Sequence, residues 1–287
     1  MRLTLALALC FTACAPQPEP PKPPITVFAA ASLARPFATL SDSFRVRSGV
    51  VARAELGGSL EHARKLTELG RIPDALMLVD DEVIAGLLPS YIDWYVRFAT
   101  NRIVVAYTPK SRYADSITSE NWWRVLSNRD VTVGRADSAL APAGRQALSV
   151  IRRADSYYGQ RGLGDRLLAR ASIEHVRPNA TELAALLETG NVDYVLDYES
   201  LARQYGFQFV ALPEDLALAV TYGIAVPRGA AHRAEGVAFT AFVLSDEGKR
   251  ILRDANVNVL ATPVAIGTAV PPDISQRVRT VAATSGH

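Results

Sequence analysis

From Ile25 onward the chain alternates short apolar runs with amphipathic stretches, and this pattern constrains the fold more than any single motif does. The runs at 25–30, 50–56, 75–79, 103–108, 131–133, 192–196, 207–212 and 220–226 read as strands. Between them, 60–69, 121–126, 143–158 and 181–187 carry apolar residues at helical spacing. Strands alternating with helices predict an α/β fold with largely parallel sheets. No glycine or proline cluster divides the body into two consecutive domains, and no fixed-period repeat appears. The expectation is therefore two lobes woven from non-adjacent segments, with crossings at 103–108 and 220–226. One lobe would comprise 25–107 plus 222–287, and the other 108–221.

The first 24 residues have a different character. Arg2 precedes an apolar stretch from Leu3 to Ala13, too short for the roughly 20 residues a membrane-crossing helix needs. A positive start, a short apolar run and a small residue before a cut are the parts of a secretory signal, here 1–13. Phe11-Thr12-Ala13-Cys14 also resembles a bacterial lipobox, in which Cys14 becomes the lipidated first residue; the alternative is a plain signal peptide with an incidental cysteine. The segment that comes next, APQPEPPKPP, favours extended polyproline II, and ten such residues would hold the body about 30 Å from a membrane. Residues 14–24 thus read as a lipid-anchored tether on an exported protein, in the periplasm or at the cell surface.

Composition excludes several functions. The two cysteines are Cys10 and Cys14, so the body has no disulfide, zinc-thiolate site or cysteine nucleophile. A net charge of +2 and the absence of a Lys/Arg run give no footprint for nucleic acid. The four histidines, His62, His175, His232 and His287, lack metal-ligand spacing, and no nucleophile elbow or phosphate loop appears. Asp80 and Asp81 read as a solvated turn or helix cap rather than an acid–base pair. No enzyme is expected.

Three strand-to-helix junctions share one device. FAAASLARPF ends a strand in small residues followed by Ser32, with Pro36 marking an early helical turn. ELGGSLEHARKL places Gly57 and Gly58 where backbone can approach closely, and Ser59 opens a helix. APAGRQAL starts a helix at Pro142, Ala143 and Gly144 without bulky side chains. Free N–H groups and the positive end of a helix dipole make an anion site without Lys or Arg. At a fourth junction Asn179 and Glu182 have capping-box spacing, so a helix should begin at about Ala180. Taken alone, a serine at a helix start is most often an ordinary cap.

From Ile25 to about Pro263 the chain resembles the periplasmic molybdate- and tungstate-binding proteins of ABC transporters, which have a two-lobed type II periplasmic-binding-protein fold. WYVRFATNRIVVAYT, Asn121-Trp122-Trp123 and DYVLDYESLARQYG are similar to the tungstate-binding branch, and ADSALAPAGRQAL to the bacterial molybdate-binding branch. The resemblance implies an oxyanion, molybdate or tungstate, held in a cleft between lobes without a cofactor. The implied donors are Ser32 and Ser59 on one side, with the Ala143 and Ala180 N–H groups and the Tyr198 hydroxyl on the other. Tyr198 has a competing reading as a half-buried strand-end aromatic. The tungstate-binding branch adds two carboxylates to the metal; their positions here hold Ala141 and Asp197. Asp197 is thus either a ligand to the oxyanion's own metal or a strand-end residue bonded to nearby amides. Tetrahedral binding is the expectation.

The implied partners are the small oxyanion, a membrane permease and the membrane itself through the lipid anchor, with the protein a monomer. Sulfate or phosphate capture, or a signalling receptor, remain as rival readings. Ferric-ion binding fits less well, because Tyr157 and Tyr158 lie in a helical stretch and read as surface or packing residues.

Overall fold

A computed structural model describes residues 22–217 and 219–281. The proposed signal peptide, Cys14 and most of the proline-rich tether lie outside the described residues. The first pass of the chain forms β1 (Ile25–Ala30), β2 (Ala52–Gly57), β3 (Ala75–Val79) and β4 (Trp94–Asn101). The chain then supplies β5 (Ile103–Tyr107), β6 (Val133–Ala136), β7 (Val176–Arg177), β8 (Tyr194–Tyr198) and β9 (Gln208–Ala211) to a separate five-stranded sheet. It returns with β10 (Val220–Ala225), β11 (Asn258–Gly267) and β12 (Arg279–Val281) to complete a seven-stranded sheet, ordered β12-β11-β4-β10-β3-β1-β2.

The sheets are mixed, which corrects the expectation of largely parallel pairing. In the large sheet β1 pairs in parallel with β2 and β3, and β11 with β12, whereas β10 is antiparallel to both its neighbours. Antiparallel contacts thus fall where the returning β10 and β11 meet β3 and β4 of the outward pass. In the small sheet the entering strand β5 runs against β8 and β9. The outward crossing is a single residue, Arg102, between β4 and β5. The segment 103–107 therefore pairs in the second sheet, and not in the first, where the sequence reading put it. That reading also lacked β4 and β11 as strands.

The helices that connect these strands and flank the lobe junction are α1 (Ala34–Ser48), α2 (Ser59–Thr67), α3 (Asp81–Ala85), α4 (Trp122–Leu126), α5 (Pro142–Tyr158), α6 (Leu163–Arg170), α7 (Ala180–Glu188) and α8 (Glu199–Tyr205). The returning pass adds α9 (Arg233–Val243). β3, with all five residues buried, shows why its run reads as a central strand: both faces are covered. Aromatic rings lock the passes together, Phe44 of α1 meeting Phe239 of α9 edge-on at 5.3 Å.

A buried carboxylate stitches the same seam. Asp74, 5% exposed, accepts from the Thr26 N–H of β1 at 2.8 Å through one oxygen. Its other oxygen accepts from the His232 N–H just before α9, also at 2.8 Å. Asp74→Ala orphans both donors. With charge-assisted bonds worth about 1.5–3 kcal/mol each and incomplete additivity, urea unfolding should show a loss of about 2–4 kcal/mol.

Candidate functional site

Ser32, Ser59, Ala143, Ala180 and Tyr198 line one cavity at the junction of the lobes. Ala30, Ala31, Gly57, Gly58, Val79, Ala141, Pro142 and Asn179 complete its wall. The cavity measures about 20 Å³, against the roughly 10–15 Å³ that one water needs, so its guest has few atoms. No charged side chain lines it among the described residues.

Local sequence explains each contribution. Ser59 opens α2 behind Gly58, an extended residue that provides no side-chain cap. The Ser59 hydroxyl oxygen accepts from the Val79 N–H at 3.0 Å, which leaves its own proton for another partner. Ala141 and Pro142 open α5 with no side-chain cap, and Ala143 of its first turn lines the cavity. Gly144 lets that turn lie on β6, where a Cβ would come within 2.3 Å of the Ala136 carbonyl oxygen. Asn179 caps α7 as its spacing predicted, accepting from the Glu182 N–H at 3.1 Å, and α7 starts at Ala180. Ser32 differs in detail, sitting in a 3-10 turn (Ala31–Leu33) ahead of α1 rather than at the α-helix start.

Tyr198 supplies an orphaned side-chain polar atom of the wall. It is 2% exposed, and its hydroxyl has no hydrogen-bond partner among the described residues. Burial pushes its ionisation far above the usual phenol range, so the group remains a neutral donor.

Asp197 does not line the cavity. Successive residues of a strand point to opposite faces, and Asp197 occupies the face of β8 away from Tyr198. It is fully buried, and one oxygen accepts from the Tyr198 N–H at 2.6 Å while the other has no partner among the described residues. One oxygen thus has the amide-bonded strand-end arrangement. Burial pushes its carboxyl up to about 7, opposed only by that N–H bond.

Backbone from the two lobes comes very close beside the cavity. A Cβ on Gly58 would stand 2.1 Å from the Leu140 carbonyl oxygen, and the Glu61 N–H donates to that oxygen at 3.3 Å. Arg145 in the first turns of α5 donates to Asp80 of the opposite lobe at 2.8 Å. Asp80 also caps α3, accepting from the Glu82 N–H, and is buried rather than solvated. Sequence reasoning missed this ion pair, since no local pattern joins residues 65 positions apart. His62, stacked on Phe28 at 4.9 Å, donates from Nε2 to the Ala29 carbonyl and supports the floor; burial keeps it neutral. Tyr158 packs against Trp122 and accepts its indole N–H at 2.8 Å, a packing role. Among the described residues no group of three or more His, Cys, Asp or Glu side chains is placed to hold a metal ion.

Two woven α/β lobes closing on a small uncharged cavity define a solute-binding protein. Residues 25–255 match the family described as bacterial extracellular solute-binding protein, and the chain belongs to that family. It is 31% identical to the molybdate/tungstate-binding protein WtpA of Pyrococcus abyssi, over 87% of this chain and 88% of that protein. Among solved structures it is similar to the Azotobacter vinelandii periplasmic molybdate-binding protein, with a TM-score of 0.65, 15% identity, and coverage of 81% and 98% of the two chains. The sulfate-binding protein SubI of Mycobacterium tuberculosis superposes with a TM-score of 0.66 at 17% identity, covering 91% and 94%. No helix among the described residues is long and apolar enough to cross a membrane.

This geometry has two measurable consequences. Gly58 has φ −73°, which any residue adopts, so Gly58→Ala strains only the approach of the lobes. Small-angle scattering should show a larger radius of gyration for that variant, with its cooperative unfolding retained; an unchanged radius contradicts the close approach. Asp197 has a folded-state value raised above its unfolded one, so the folded protein binds the extra proton. Stability is then full below about pH 4 and is lost as pH rises toward about 7. Asp197→Asn should raise the melting temperature above pH 7.5 and change it little near pH 4, whereas an equal difference at both pH values contradicts the assignment.

Proposed function

We propose that this protein captures a tetrahedral dianion, molybdate or tungstate, between its lobes and delivers it to the permease of an ABC transporter. The observation that carries this reading is the cavity wall: donors from both lobes converge on it, and among the described residues no charged side chain lines it. Three α-helix starts contribute positive dipole ends, each equivalent to about half an elementary charge. Hydroxyls of Ser32, Ser59 and Tyr198 and the N–H groups of Ala143 and Ala180 would then contact the oxygens. Among the described residues the wall offers no carboxylate to the metal, since Ala141 lines it and Asp197 does not, which favours tetrahedral binding over an expanded shell. The 31% identical molybdate/tungstate-binding relative supports these two anions ahead of sulfate or phosphate.

Closure would couple capture to transport. A ligand bonded to both lobes stabilises the closed arrangement, whose surface the permease then meets. In this reading the protein acts as a monomer, with Cys14 carrying the lipid and the proline-rich segment spacing the body from the membrane.

Calorimetry of the folded body against molybdate, tungstate, sulfate, phosphate and ferric ion tests the proposal. The expected result is saturable binding of molybdate and tungstate, stronger than that of the other three. Replacing both Ser32 and Ser59 with Ala removes two bonds to a charged guest, worth about 1.5–3 kcal/mol each, so affinity should fall at least tenfold while the protein stays folded. Unchanged affinity in that double variant would remove both serines from the site.

A further inference from the structure

We infer that Asn101 and Tyr222 are positioning residues that hold the Ser32 hydroxyl as a hydrogen-bond donor toward the cavity, so that the site favours anions carrying no proton. The inference rests on the oxyanion-binding reading above and adds two residues that do not touch the cavity. Asn101 ends β4 beside the interlobe crossing, and Tyr222 lies in β10; they are 6% and 0% exposed. Neither carries a sequence signal, because the network joins positions 32, 101, 200 and 222.

Proton directions come from the geometry. The Asn101 Oδ1 accepts from the Arg102 N–H at 3.0 Å and from the Ser200 N–H at 3.3 Å. Those two backbone donors fix the amide orientation, so Nδ2 is a donor only. Its protons go to the Tyr222 hydroxyl at 2.7 Å and the Ser200 hydroxyl at 2.6 Å. With its oxygen occupied, the Tyr222 phenol donates onward. Ser32 Oγ lies at 2.9 Å, whereas Ser200 Oγ lies at 3.4 Å and already receives an amide proton. Burial holds the phenol protonated and therefore able to donate.

Ser32 Oγ thus accepts from Tyr222, and its own proton finds no other acceptor among the described residues. Ser32 lines the cavity, so that proton is available to a guest. Ser59 is set the same way by the Val79 N–H. Each hydroxyl oxygen already accepts one protein donor and leaves its own proton for the cavity, so toward a guest both act foremost as donors. An anion with a P–OH group, such as hydrogen phosphate, must place its proton against donors, whereas molybdate at neutral pH brings acceptors alone.

Tyr222→Phe removes one hydroxyl from a buried ring and leaves the shape unchanged. Calorimetry at pH 7.5 should show molybdate affinity down about tenfold, and the ratio of molybdate to phosphate affinity should narrow, because the freed Ser32 hydroxyl can turn to accept. In a Ser32→Ala background, Tyr222→Phe should cost nothing further. Asn101→Asp, whose carboxylate draws the Tyr222 proton the other way, should produce the same narrowing. A merely structural role would lower both anions equally and add to Ser32→Ala; either result, or native-like binding by both variants, overturns the inference. Failure of the native protein to bind any oxyanion would instead overturn the function on which it rests.

Discussion

The structure depends on helix starts brought face to face from two lobes. The α2 start points at the cavity from one side and the α5 and α7 starts from the other, with the 3-10 turn of Ser32 beside them. Each carries a partial positive charge at its N-terminal end, which caps such as Asn179 satisfy only in part. Held apart in water they are solvated and ordinary. Brought together around a small cavity that no charged side chain lines among the described residues, they suit an anion.

That apposition needs the two backbones almost in contact. The Gly58–Leu140 approach provides it, and three further links span the same junction. Arg145 pairs with Asp80, the Gln204 amide donates to the Ser32 carbonyl at 3.0 Å, and Asn101 bonds Ser200. These links lie around the cavity rather than in it, so they can stabilise closure without adding charge to the site. The single-residue crossing at Arg102 is itself paired with Glu199 of α8 at 2.6 Å.

Much of this was legible in the sequence because it is local. Glycines 57 and 58 before Ser59, Pro142 before Ala143, and Asn179 three residues ahead of Glu182 each encode a helix start within a few positions. Strand-to-helix alternation encoded the fold class, and the absence of a dividing linker pointed to woven lobes. What stayed hidden depends on distant partners. The sheets mix directions because outward and returning passes meet, which no run of residues records. β4 escaped notice because Arg97 and Thr100 interrupt its apolar run. Asp197 reads equally well as ligand or strand-end residue until the pleat of β8 places it opposite Tyr198. The Asp80–Arg145 pair and the Asn101–Tyr222–Ser32 chain likewise exist only after folding.

The most direct measurement is the anomalous scattering map of a crystal grown with tungstate. The account predicts one strong tungsten peak between Ser32, Ser59, Ala143 and Ala180, with hydroxyls and backbone N–H groups as its neighbours and no arginine, lysine or carboxylate in contact. A peak bonded to Asp197 or held by basic side chains elsewhere, or an empty interlobe cavity at saturating tungstate, would contradict it.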